Sequence, residues 1–173
     1  GSCTAERIKA DNASRKEILT ETMSNIRYQP FRKRLNKYIK ESGTKPMDYR
    51  NEKHRLVFTE AIEKLNRNDY ALMSALYLLT AEHRLWTAAK RHVVRNEIDF
   101  NNIRLRNSTV NAYALFCAAK DLYLGAKHIT VRDLSDTELI GPKLFGLICN
   151  AMAIRRFGLG AIRRKEERKT EYD

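Results

Sequence analysis

Arg27, Arg32, Lys33, Arg34, Lys37 and Lys40 fall in one stretch of the chain that contains no acidic residue. They supply half of a formal net charge of +12. On a helix, Lys33, Lys37 and Lys40 share one face, while Phe31, Leu35 and Tyr38 lie towards the other. Cations on such a face displace condensed counterions from a phosphate backbone. Tyr28 and Tyr38 are placed to stack on unpaired bases. The chemistry this predicts is phosphate contact with RNA or DNA. The plainer alternative is a solvated helix face. The apolar side is short, which disfavours an anionic membrane surface as the partner. A second basic cluster closes the chain: Arg155, Arg156, Arg163, Arg164, Lys165, Arg168 and Lys169, interrupted by Glu166 and Glu167. Arg163, Arg164 and Lys165 are its candidate phosphate contacts. A third group, Arg84, Lys90, Arg91 and Arg95 with His92 among them, suits the negative end of a helix dipole.

Arg50-Asn-Glu-Lys-His54 invites a catalytic reading. Some helical ribonucleases place an Arg and a His within one or two turns, so that one assists attack by a ribose 2′-hydroxyl. Their motif usually has at least four residues between the two, and this stretch has three. The reading adopted makes Asn51 a helix N-cap, with Glu52 and His54 exposed in the first turn. His83 falls in an apolar row and reads as a hydrogen-bonded core residue. It lies nine residues from His92, too far to form an i, i+4 metal pair. Cys117 and Cys149 sit in apolar runs as small buried hydrophobes. With no HExxH motif, no metal is expected. No glycine-rich phosphate loop, nucleophile elbow or carboxylate pair supports another reaction. The chain is expected to carry no cofactor and not to be an enzyme.

These residues need helices to position them. The stretch 69–94, opened by Asp69 as N-cap, is apolar on nearly every side in its first half, as in a helix surrounded by others. Leu72, Leu76, Leu79, His83 and Trp86 follow the helical period through it, so one continuous helix is predicted. Ser14-x-x-Glu17 is a capping box for a helix from Arg15 to about Arg27, ended by Pro30. Phe31, Leu35, Tyr38 and Ile39 mark the next helix, ended by Gly43, and residues 43–48 form a turn or hinge. Asn51 caps a helix carrying Leu56, Phe58, Ala61, Ile62 and Leu65. Residues 99–105 read as an irregular crossing. Asn107 and Ser108 cap a helix that runs through Leu124 and stops at Gly125. His128–Arg132 has strand-like residues. Ser135-x-x-Glu138 is a second capping box, and Pro142 suits an early helical position in a last helix that reaches Arg156 and is ended by Gly158 and Gly160. The prediction is an all-α, single-domain bundle of about six helices around a central apolar helix. Residues 1–48 are assigned to a basic N-terminal helical arm, 49–160 to the helical core domain and 161–173 to a charged tail.

From Asn51 onward several features stand in a distinctive order. They are Asn51-Glu-Lys-His54 with Phe58, Asp69, Ala75-Leu-Tyr-Leu-Leu79, and Asp99-Phe100 with Ile103. Lys120-Asp-Leu-Tyr-Leu-Gly125, Leu134-Ser-Asp-Thr-Glu-Leu139 and Ala153-Ile-Arg-Arg-Phe157 complete them. Over about residues 51–158 the chain resembles a family carried by mobile elements and phages of Firmicutes, domain of unknown function 6075. The resemblance implies a mobile-element setting and brings no catalytic residues with it.

A chain of 173 residues can bury a core without disulfides or metal. Three cysteines, an odd and sparse set, point to a reducing compartment. With no apolar run of spanning length and no signal-peptide pattern, the expectation is a cytoplasmic protein. The function expected is a non-catalytic nucleic-acid-binding accessory or regulatory protein of a mobile genetic element or phage. The alternative is a protein-interaction module inhibiting a host factor such as a defence nuclease through its acidic or nucleic-acid-bound surface. The third reading is a small helical ribonuclease.

Overall fold

Every side chain from Leu72 to Leu79 is buried, and they form most of the helix α5 (Tyr70–Leu79). Asp69 starts it by accepting a hydrogen bond from the Leu72 N–H at 3.0 Å. Two long helices, α7 (Val110–Leu124) and α9 (Pro142–Phe157), supply most of its neighbours. The structure, a computed structural model, describes residues 3–9, 12–43 and 45–162. Around the central three lie α1 (Thr4–Lys9), α2 (Arg15–Thr22), α3 (Gln29–Ser42), α4 (Glu52–Ile62), α6 (His83–Ala89) and α8 (Val131–Ser135). The fold is all-α. Its sheet is a two-stranded hairpin of β1 (Val93–Val94) and β2 (Glu97–Ile98), in the register Val93 opposite Ile98. Among the described residues, no helix is long and apolar enough to cross a membrane.

The N-terminal helices pack on the core of their own chain. Ile18, Leu19, Met23, Phe31, Leu35 and Met47 belong to the same buried cluster as α5, α7 and α9. Phe31 and Tyr38 both meet Phe145, with ring centroids 6.0 and 5.6 Å away. The approach is close because position 146 is glycine. A Cβ there would lie 2.9 Å from the Tyr38 hydroxyl.

The continuous central helix predicted over 69–94 is two helices. The Thr80 hydroxyl donates to the Leu76 carbonyl at 2.7 Å, and Thr80 caps the end of α5. Glu82 is extended and its carboxylate accepts from the Leu85 N–H at 2.7 Å, which starts α6. The break turns His83 out of the apolar row, so it is exposed where a core residue was expected. Trp86 is half-buried against the core. Other local corrections have similar causes. Thr130 and Asp133 form the capping box of a helix where strand-like residues were read. Ser135, read as a cap, donates its hydroxyl to Val131 O in the last turn of that helix. Thr109, not Asn107 or Ser108, caps α7. The expected caps at Ser14, Asn51, Gly43, Gly125 and Gly158 are present.

Candidate functional site

On α3 the apolar side is fixed first. Phe31 and Leu35 are fully buried, which turns Lys33, Lys37 and Lys40 outward, and all three are exposed. Arg27 and Tyr28, just before the helix, are exposed as well. Lys37 lies 3.9 Å from Glu41, an exposed pair of little energetic weight. The two remaining arginines behave differently. Arg32 donates to Met23 O at 3.0 Å and so closes the end of α2. Arg34 reaches under the α8–α9 connection. It donates to the carbonyls of Leu134, at 2.8 Å, and of Ile140, and its guanidinium lies 4.4 Å from the Phe145 ring centre. Partial burial lowers its pKa from the ordinary arginine value. Tyr38 is packed between Phe145 and the Arg15 guanidinium, and burial pushes its phenol pKa up. Of the residues the sequence singled out on this stretch, Arg27, Tyr28, Lys33, Lys37 and Lys40 face solvent, whereas Arg32, Arg34 and Tyr38 hold the fold. Arg163, Arg164 and Lys165 lie outside the described residues. Nearby, Arg155 donates to Leu122 O at 3.2 Å and Arg156 pairs with Glu21 at 2.8 Å.

His54, expected to be exposed, is 2 % exposed. It shares a helix face with Phe58 and Ile62, four and eight residues on, and both are buried. Its protonation state follows from its partners. The Arg50 backbone N–H can only donate, so Nδ1, 2.9 Å away, accepts. Nε2 therefore carries the proton and donates to Tyr77 O at 2.7 Å. Burial, then the nearby Arg50 charge, lower its pKa to about 4, although the Tyr77 carbonyl opposes the shift. The Tyr77 hydroxyl in turn donates to Asp48 O at 2.5 Å and accepts from Asn150 Nδ2 at 3.0 Å. Asn150 Nδ2 also donates to Asp48 O at 3.0 Å. This buried network pins the 48–50 segment to α4, α5 and α9. Both ring nitrogens of His54 are occupied, which leaves neither free for proton transfer to a substrate.

A concavity opens beside that network. The first turns of α4, α6, α7 and α9 border a cleft of about 550 Å³. Arg50, Lys53, His83 and Lys143 line it, against one acid among its described lining residues, Glu82. The Glu82 carboxylate is engaged as the cap of α6. Trp86, Leu115, Leu144 and Leu147 supply apolar lining. Arg50 and Lys53 fall in the stretch weighed above as a ribonuclease motif, and no sequence signal assigned the other lining residues to a site. Three separate segments contribute the basic groups, so no spacing rule could have collected them.

Among the described residues, no group of His, Cys, Asp and Glu side chains is arranged to hold a metal ion. Cys117 and Cys149 are buried, and burial pushes both thiols up. Comparison with protein-family models, curated proteins and solved structures returned no match.

Proposed function

We propose that the chain is a non-catalytic nucleic-acid-binding protein that contacts RNA or DNA phosphates through the outer face of α3, as a cytoplasmic accessory of a mobile element or phage. The observation that carries the reading is the sorting of charges on α3. Lys33, Lys37 and Lys40 are exposed on a helix whose opposite side is locked into the core by Phe31 and Leu35. A face so held presents its cations without a folding step on binding. Contacts to phosphate supply affinity with little sequence preference. The occupied nitrogens of His54 favour this reading over a ribonuclease.

Labelled RNA, single-stranded DNA and duplex DNA, titrated at several salt concentrations, test the proposal. Each should bind more weakly as salt rises. A second reading, a module that inhibits a host protein such as a defence nuclease, draws on the exposed apolar residues Val110, Tyr113 and Leu124 of α7. Absence of micromolar binding to all three nucleic acids at low salt would exclude the first reading in favour of the second.

A further inference from the structure

We propose that the cleft between the starts of α4, α7 and α9 binds a nucleotide. Its phosphomonoester would be held by Lys53, Lys143 and Arg50, with the flat ring lying against Trp86. The side chains come from segments far apart in sequence and converge on one concavity of about 550 Å³. That size falls within the range of roughly 300–1,000 Å³ in which small-molecule sites occur. Lys53 and Lys143 are exposed at the mouth. Arg50 donates through Nη1 to Ala81 O at 3.0 Å. That bond anchors its guanidinium beside the cleft and leaves it other N–H groups for a phosphate. Glu82, whose carboxylate accepts from the Leu85 N–H, is one acid among the described lining residues against Arg50, Lys53 and Lys143. The first turns of three helices of 11, 15 and 16 residues line the same space, and their dipoles add to a positive potential that the side chains already set. The half-buried Trp86 indole offers the apolar surface on which a base stacks. The chemistry is shared by a free mononucleotide and by the phosphorylated end of a strand. The inference does not rest on the α3 face.

Trp86 is the chain's one tryptophan, so its emission reports on the cleft. Titration of the full chain with adenosine 5′-monophosphate should quench that emission saturably. Adenosine or inorganic phosphate alone should bind far more weakly. Lys53→Gln with Lys143→Gln should weaken nucleotide binding roughly tenfold or more. Lys33→Gln with Lys37→Gln should leave it unchanged, which separates this site from the α3 face. Both cleft lysines are exposed, so the circular dichroism should be preserved, and Lys53→Gln alone serves if the double variant loses helicity. Competition then identifies the source. Displacement by a 5′-phosphorylated oligonucleotide but not by its 5′-hydroxyl form points to a strand end, and displacement by neither points to a free nucleotide. No response by fluorescence or calorimetry, equal binding by the cleft variants, or equal binding of adenosine or phosphate would each overturn the proposal. So would displacement by both oligonucleotides alike.

Discussion

Two stretches that look alike in charge chemistry meet opposite fates. On α3, three lysines stay in water while two arginines of the same run are drawn onto carbonyls of other segments. Around position 54, a histidine that opens a helix among charged residues is drawn wholly inside. The difference lies in what sits opposite. Arg34 faces the carbonyls of Leu134 and Ile140 and the ring of Phe145, a set that a planar guanidinium satisfies at once. His54 faces a backbone donor and a backbone acceptor, which a neutral imidazole satisfies with its two nitrogens. Lys33, Lys37 and Lys40 face no such set among the described residues, and their compact, strongly hydrated charges remain exposed. Net charge is therefore a poor guide to which cations are available to a ligand.

The sharpest break of this contrast is at His54. His54→Ala should destabilise the protein by ~3–5 kcal/mol, since it opens a cavity, removes the acceptor of the Arg50 N–H and takes the shorter of two side-chain donors from the Tyr77 carbonyl. A urea midpoint equal to the parent's would place His54 outside the core. Acid should act on the same residue. Its folded pKa of about 4 lies below the ordinary value of 6.5, so the folded state favours the neutral ring. That contribution is fully present above about pH 6.5 and is lost as pH falls towards 4, by up to about 3 kcal/mol. Below that, both states bind the proton and the loss stops growing. Urea midpoints followed across this range should fall in the parent and show a much smaller step in His54→Gln. Next in size is Arg34→Gln, which should cost about 2 kcal/mol by leaving carbonyls of the α8–α9 connection unpaired. Smallest is the effect of changing Lys33, Lys37 and Lys40 together to Gln. Thermal unfolding should move by less than about 0.5 kcal/mol, because exposed charges far from special features contribute little and Gln is a competent helix former.

What could be read from the sequence was local. Asp69, Asn51 and Ser14 announce helix starts through their own side chains, and Gly43, Gly125 and Gly158 announce ends. The outward lysines of α3 were legible too, because Phe31 and Leu35 fix the phase of the helix. The break at Thr80–Glu82 was not, since the apolar period runs on through His83 and Trp86 and hides it. The signals were a threonine able to bond four residues back and a glutamate able to cap, and both are weak alone. His54 was recoverable in principle from its spacing to Phe58 and Ile62, but a histidine beside Glu52, Lys53 and Arg55 reads as surface. The clamp of Arg34 depends on carbonyls about one hundred residues away. The cleft likewise joins Lys53 to Lys143, and only the tertiary fold brings them to one space.

The central claim is that the exposed lysines of α3, and not the clamped arginines, bind phosphate. It is tested most directly by the salt dependence of nucleic-acid affinity in the parent and in the Lys33→Gln, Lys37→Gln, Lys40→Gln variant. Each phosphate contact contributes about −0.9 to the slope of log K against log salt on duplex DNA and about −0.7 on single strands. The variant should bind more weakly and its slope should be flatter by roughly two to three units. An unchanged slope with undiminished affinity in a folded variant would contradict the account and move the phosphate contacts away from α3.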